Sequence, residues 1–267
     1  MTSFQISVYP LPSLIPSGMI ERFSQTGSAV VVIDQLRATT TITTALANGA
    51  ESVETFLEPA DAIRRKQQLL GGGFTVEQIV LGGERGGVRI DGFDYGNSPR
   101  EYRAMNGKRL LFTTTNGTRA ISAAKNASTL LLASFINAAA VLRELQNAND
   151  IHIICAGTCG QFTEEDLLTA GCLVERLDRY HRLNTGERFA MNIQSQTVQE
   201  MWYKTFPLQQ IIGEEKIDTE QLAKKLRASC GGKNLIKLSL DRDIVDASHI
   251  DSANIVPRRH SENVFVS

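Results

Sequence analysis

The sequence predicts an α/β protein: three layers, α/β/α, around a largely parallel or mixed sheet, with a helical elaboration toward the C-terminus. Three observations carry this. Short β-branched runs alternate with helical segments through the first two-thirds of the chain. Several of these runs are apolar on both faces, as expected of central strands covered by helices on each side. From about His181 onward the alternation gives way to helical stretches with little strand character.

The strand runs are Ala29–Asp34 (AVVVID), Ser52–Leu57, Gln78–Leu81, Arg109–Thr114, Thr129–Ala133 and Asp150–Cys155. Between them, Ala38–Asn48 reads as a helix stopped by Gly49. Pro59–Leu70 begins with a first-turn proline and stops at Gly71-Gly72-Gly73. Ser98, Pro99 and Glu101 spell a capping box that predicts a helix through Arg103. Thr163 and Asp166 give a looser box ahead of a helix over Leu167–Tyr180. Farther on, Thr197–Tyr203 and Thr219–Ala228 read as helices, Cys230-Gly231-Gly232 as a stop, and Asn263–Val266 as a final strand. No repeat and no Pro- or Ser-rich linker appears. The expectation is therefore one domain over residues 1–267, with 181–267 as a subdomain.

Composition removes whole classes of function. Hydrophobic residues make up 42% of 267 and charged residues 21%, which excludes a disordered chain. Lys+Arg total 28 against Asp+Glu 29, a formal net charge of −1, so nothing favours nucleic acid as partner. No run approaches the roughly 18 apolar residues of a membrane span. The stretch MTSFQISVYPLPSLIP lacks a basic region and carries Pro10, Pro12 and Pro16, unlike a signal peptide. Cys155 and Cys159 are spaced CxxxC, and Cys172 and Cys230 stand apart, so the thiols read as ordinary residues of a reducing cytoplasm rather than zinc ligands. A symmetric dimer is common for α/β enzymes of this size, but no interface is legible.

In open α/β sheets, ligands bind beyond the carboxyl ends of the strands. Four strand ends are rich in chemistry: Asp34-Gln35-Leu36-Arg37 with Thr39-Thr40-Thr41, Gly82-Gly83-Glu84-Arg85-Gly86-Gly87, Thr113-Thr114-Thr115-Asn116-Gly117-Thr118, and Thr158–Thr163 leading into Glu164-Glu165-Asp166. Carboxylates suit a hard cation such as Mg2+, arginines fork onto phosphate or carboxylate, and glycine-turn amides cradle oxyanions. Read singly, each has a structural explanation: Asp34 could cap a helix, and Glu164–Asp166 could complement a helix dipole. The P-loop, GxGxxG, GxSxG and HExxH patterns are absent; Asp34 is followed two residues later by Leu36 rather than a second Asp, and Gln161 and Glu165 stand where Cys-x5-Arg from Cys155 or Cys159 would need arginine. His260, within Arg258-Arg259-His260, does not follow a strand, which sets aside a phosphohistidine route.

Together, IDQLRATTTI (Ile33–Ile42), GGERGGVRIDGFDYGNSP (Gly82–Pro99), TTTNGTRA (Thr113–Ala120) and CAGTCGQFTEEDLLTAG (Cys155–Gly171) resemble the 2-phosphosulfolactate phosphatase family, with a weaker match at DIVDASHIDSANIVP (Asp243–Pro257). The resemblance runs from about residue 28 onward. It implies Mg2+-dependent hydrolysis of (2R)-2-phospho-3-sulfolactate to 3-sulfolactate and phosphate, a step associated with coenzyme M biosynthesis. Arg37, Arg85 and Arg119 are then candidates to neutralise the substrate's anionic groups. Asp34, Glu84 and Asp166 are the first candidates for the cation, with Glu165 as substitute. Asn97, Thr114 and Asn116 would orient substrate oxygens, and Asp34, Arg37 and Arg85 would carry catalysis. Asp34 could position water or itself act as nucleophile. Tyr95, Thr169 and Gln35 depart from the pattern associated with the family, and these departures bear on substrate preference. Another small phosphomonoester, such as a phospho-2-hydroxy acid, is the alternative substrate. A non-catalytic module that binds a phosphorylated metabolite is the rival class.

Overall fold

The computed structural model describes residues 4–213 and 215–267. The chain runs through β1 (Gln5–Tyr9), β2 (Ser28–Ile33), α1 (Ala38–Ala47), β3 (Ser52–Thr55), α2 (Pro59–Gly71), β4 (Ile79–Arg85) and β5 (Val88–Arg89). It continues with β6 (Arg109–Thr113), α3 (Gly117–Ala123), β7 (Leu130–Ala133), α4 (Ala138–Leu145), β8 (Asp150–Cys155) and α5 (Glu164–Thr185). Then come β9 (Ala190–Met191), α6 (Ile193–Thr205), α7 (Leu208–Ile211), α8 (Thr219–Ala228), α9 (Cys230–Lys237), α10 (Asp241–Ala247), β10 (Arg258–Ser261) and β11 (Val264–Val266).

β2 shows why the layers form. Val30 and Val32 point to one side, into a core shared with Ala38, Ile42, Leu46 and Phe112. Ala29, Val31 and Ile33 point to the other, against Val141, Leu145, Leu173 and Leu177 of α4 and α5. With a side-chain period of two, a strand apolar at every position has to be covered twice. Burial of each valine contributes roughly 1.5–3 kcal/mol.

Among the described residues one sheet runs in the order β5-β4-β6-β3-β11-β10-β7-β2-β8-β1-β9. The pairs β4–β6, β3–β6, β2–β7, β2–β8 and β1–β8 are parallel. The hairpin β10–β11 is inserted antiparallel between β3 and β7. The sheet is thus mixed and mostly parallel, as the sequence predicts. No helix among the described residues is long and apolar enough to cross a membrane.

Four local readings change. Residues 5–9, weighed only as part of a leader, form β1, with Ile6 and Val8 fully buried beside β8. The segment after Ser98 is a single 3₁₀ turn, Pro99–Tyr102, and Ser98 makes no cap there. Its hydroxyl donates instead to Asp243 Oδ1 at 2.6 Å, while Glu101 Oε2 accepts from the Gly96 N–H. Thr163 does precede α5, but the Asp166 side chain leaves the helix to accept from the amides of Gln35 and Gly157. Cys230-Gly231-Gly232 does not end a helix. It opens α9, because Ser229 Oγ accepts the Gly232 N–H at 3.2 Å and so caps the new turn. His260 lies within β10.

The C-terminal helices share a core of their own with α5. Leu168 and Cys172 of α5 pack with Trp202, Leu222, Leu226, Leu235 and Ile244. This cluster seats α9 over the carboxyl ends of the central strands.

Candidate active site

β2 ends in a turn held almost entirely by threonines. Thr39 Oγ1 donates to the Asp34 carbonyl at 2.9 Å, Thr40 Oγ1 to that of Gln35 at 2.8 Å, and Thr41 Oγ1 to that of Asn97 at 2.9 Å. The turn leaves Asp34 8% exposed, with Oδ1 accepting the Ala38 N–H at 3.1 Å. No protein donor reaches Oδ2 among the described residues. α3 reaches Asp34 from β6 through Gly117. A Cβ there would stand 2.4 Å from Ala38 Cβ and 2.7 Å from Asp34 Oδ2, so the approach needs glycine. The Leu36–Arg37 peptide bond is cis.

Arg37 is 4% exposed and donates to Asp243 Oδ2 at 2.7 Å and to the Gly87 carbonyl at 3.2 Å. Asp243, 1% exposed, also accepts from Ser98, so α10 fixes both the arginine and the loop that carries Asn97. Sequence reasoning passes over Asp243 as a site residue. The signal available was its place as the first residue of the DIVDASHIDSANIVP match.

Two further acids accept a backbone N–H on each oxygen. Glu84 Oε1 accepts from the Thr115 N–H at 2.7 Å, and Oε2 from the Gly87 N–H at 2.6 Å. Asp166 accepts the Gln35 and Gly157 amides at 2.8 and 2.9 Å, one on each oxygen. Glu165 is different: Oε1 accepts the Gly231 N–H at 3.0 Å, while Oε2 is buried with no partner. Gly231 has to be glycine, since a Cβ would meet Glu165 Oε1 at 2.1 Å.

Crowding these acids in a dry region changes their protonation. Burial lifts the Asp34 carboxyl to about 7, and Glu84 and Glu165 add to the rise. The Ala38 N–H and Arg37 oppose it. Asp166 is pushed well above the carboxylate range, by burial first and then by Asp34 and Glu165. Glu165 is raised by burial too, and backbone donors, including the Gly231 N–H, hold the rise back.

Asp34, Arg37, Glu84, Asn97 and Asn116 line one cavity of about 440 Å³. Asn97 is 6% exposed, and its Oδ1 is buried without a partner. Asn116 Oδ1 accepts the Cys159 N–H at 3.3 Å. Glu165 and Asp166 lie behind the cavity wall rather than in its lining. Three other candidates are placed elsewhere. Arg85 turns away and donates to the carbonyls of Glu84 and Leu57 and to Thr113 Oγ1, tying strand ends together. Thr114 is buried, its hydroxyl accepting the Thr118 N–H and its carbonyl the Thr118 O–H, so it secures the start of α3. Arg119 is exposed on α3, outside the cavity.

The far wall comes from α9: Cys230, Lys233, Asn234 and Lys237 line the same cavity, as does Cys159 from the β8–α5 loop. Sequence reasoning takes both thiols as ordinary and the α9 segment as a stop. Cys159 and Cys230 are exposed, whereas Cys155 and Cys172 are buried.

Mg2+ is usually held by one or two carboxylates together with water and substrate phosphate, not by an all-protein cage. The donor set fits that arrangement. Among the described residues no trio of His, Cys, Asp or Glu forms a ready-made cage. Of the four candidate acids, Asp34 and Glu165 each keep one oxygen without a donor among the described residues, Oδ2 and Oε2, the second of them buried. Glu84 and Asp166 accept a backbone N–H on each oxygen, which ties them to the loops around the site.

The family described as 2-phosphosulpholactate phosphatase matches residues 14–262. A protein of Carboxydothermus hydrogenoformans named probable 2-phosphosulfolactate phosphatase is 35% identical over 233 residues, 87% of this chain and 86% of that protein. One of the same name from Symbiobacterium thermophilum is 37% identical over 234 residues, 86% of this chain and 91% of its own. A third, from Gloeobacter violaceus, is 32% identical over 268 residues and covers 98% of both chains.

Proposed function

The chain belongs to the 2-phosphosulpholactate phosphatase family, and from that premise we propose that it is a Mg2+-dependent phosphoric monoester hydrolase acting on (2R)-2-phospho-3-sulfolactate. One observation carries the reading. Asp34 presents an unengaged carboxylate oxygen at a strand end, in a cavity that it shares with Arg37, Asn97 and Asn116.

Bound Mg2+, held by Asp34 with Glu165 within reach of the same region, would supply positive charge to the phosphoryl oxygens. The chain's own groups do the rest. Arg37, locked by Asp243, offers a guanidinium that does not have to reorganise when charge develops on the phosphoryl group. Asn97 lines the cavity, and its Nδ2 group, which donates to no partner among the described residues, would donate to a substrate oxygen. Asp34 would deprotonate water or itself attack phosphorus.

Phosphate release from 2-phosphosulfolactate, with and without EDTA, tests the reading. Expected is release that EDTA abolishes and added Mg2+ restores; no release under either condition sinks it. Single turnover in ¹⁸O-water separates the two roles of Asp34, because label in an Asp34 peptide requires an aspartyl-phosphate. A panel with phospholactate and phosphoglycolate ranks the substrates.

A further inference from the structure

Resting on the phosphatase reading of the cavity, we propose that Lys233 and Lys237 form a second anion subsite. It grips the non-reacting acidic group of the substrate and selects phosphomonoesters that carry a sulfonate or carboxylate a few atoms from the phosphate.

The supply of positive charge points to these two residues. The cavity is lined by three cationic side chains, Arg37, Lys233 and Lys237. Arg37 is already paired with Asp243, and both partners are buried. Arg85 is spent on Leu57, Glu84 and Thr113, and Arg119 lies outside. A substrate with three anionic groups, entering a cavity that also holds Asp34 and Glu84, needs more cation than Arg37 provides. Lys233 and Lys237 are exposed, and among the described residues neither makes an ion pair.

Their placement is geometric as well as electrostatic. Residues 230, 233, 234 and 237 follow the i, i+3, i+4, i+7 spacing of one helix face, and with Gly231 and Leu235 beside them they form the α9 side of the cavity. The lysines sit one turn apart, about 6 Å along the axis, close enough for two ammonium groups to converge on one acidic group. The helix N-terminus is not the site. Its Gly231 and Gly232 amides already donate to Glu165 and Ser229, which leaves the side chains to do the binding. An ammonium is a solvated point charge without the planar fork of arginine, so it accepts sulfonate or carboxylate alike.

The test uses 3-sulfolactate, which lacks the phosphate, as calorimetric probe of the wild type and of the double variant Lys233→Gln/Lys237→Gln. The specificity ratio, kcat/KM for 2-phosphosulfolactate over that for 4-nitrophenyl phosphate, is measured in parallel. Expected are a tenfold or greater loss of 3-sulfolactate affinity, a tenfold or greater fall in the ratio carried mainly by KM, and recovery of most of both in Lys233→Arg/Lys237→Arg. Both lysines are exposed, so an unchanged circular-dichroism spectrum is expected. No binding of 3-sulfolactate by the wild type, or a loss under threefold, overturns the subsite, as does an unmoved ratio. If the wild type releases no phosphate yet binds 3-sulfolactate through these lysines, the phosphatase reading falls and the subsite stands.

Discussion

The strand-end floor of the cavity and its α9 wall are charged oppositely and built differently. On the floor Asp34 and Glu84, and behind the wall Glu165 and Asp166, are nearly inaccessible, and each is pinned by at least one backbone N–H. On the wall, Lys233 and Lys237 project from a helix surface into solvent. The floor holds its groups in fixed geometry and loses stability by crowding like charges where water cannot screen them. The wall keeps its charges hydrated, so its residues can change at little cost to folding. A reaction centre needs the first construction, and discrimination among substrates is served by the second.

The sharpest way to separate the two regions is Asp34→Asn. Turnover should fall at least about a thousandfold, the scale of losing a central electrostatic or nucleophilic group. The metal-free protein at pH 8 should become more stable by on the order of 2 kcal/mol, because a buried charge among acids has been removed. Urea denaturation read beside a phosphate-release assay checks both; lower stability in the variant would contradict a strained floor.

Next in size is Asp243→Ala, which leaves Arg37 buried and unpaired. Removing one member of a buried pair costs about 3–5 kcal/mol, and a Tm lowered by roughly 10 °C in calorimetry is expected. The pH dependence comes third. Because the folded-state pKa of Asp34 lies near 7, above that of the unfolded chain, the native state keeps a proton that the unfolded state releases above about pH 4. The contribution of Asp34 to stability therefore diminishes as pH rises from about 4 to 7 and is level beyond. His152, whose pKa burial lowers, acts in the opposite sense near its unfolded value. The wild-type-minus-Asp34→Asn difference in urea midpoint across pH isolates the Asp34 part, and a flat difference would contradict it. Smallest is Lys237→Ala, expected to change unfolding free energy by less than about 0.5 kcal/mol, as exposed substitutions do. A larger loss would mean that the wall is structural after all.

How far the sequence could be read followed from how local each signal was. The runs at β2, β6 and β8 declare a doubly covered sheet through side-chain type alone, and the strand-end rule brings Asp34, Glu84 and Asn116 together. What escaped depended on tertiary partners. The helix-start signals at Ser98 and Asp166 are genuine as residue types, but Asp243 and the Gln35 and Gly157 amides claim those side chains. Arg85 directly follows Glu84 in sequence, yet alternation along the strand sends it toward Leu57 and Thr113 while Glu84 faces the cavity. Cys-Gly-Gly is a reasonable stop for the preceding helix and also a reasonable first turn for the next. The Ser229 cap decides it, and the close approach of Glu165 separately requires a residue without Cβ at position 231.

The hairpin β10–β11 bears on assembly in time. It is the hydrogen-bonded link between β3 and β7, joining Val264 to Glu54 and Arg258 to Leu131 across long stretches of chain. During synthesis the two parallel halves of the sheet therefore remain unstitched until residues 258–266 have left the ribosome. Until then, β3 and β7 present open edges of the kind that recruit stray strands. A nascent chain stalled before residue 258 would accordingly be a client for chaperones, whatever the maturity of its catalytic loops.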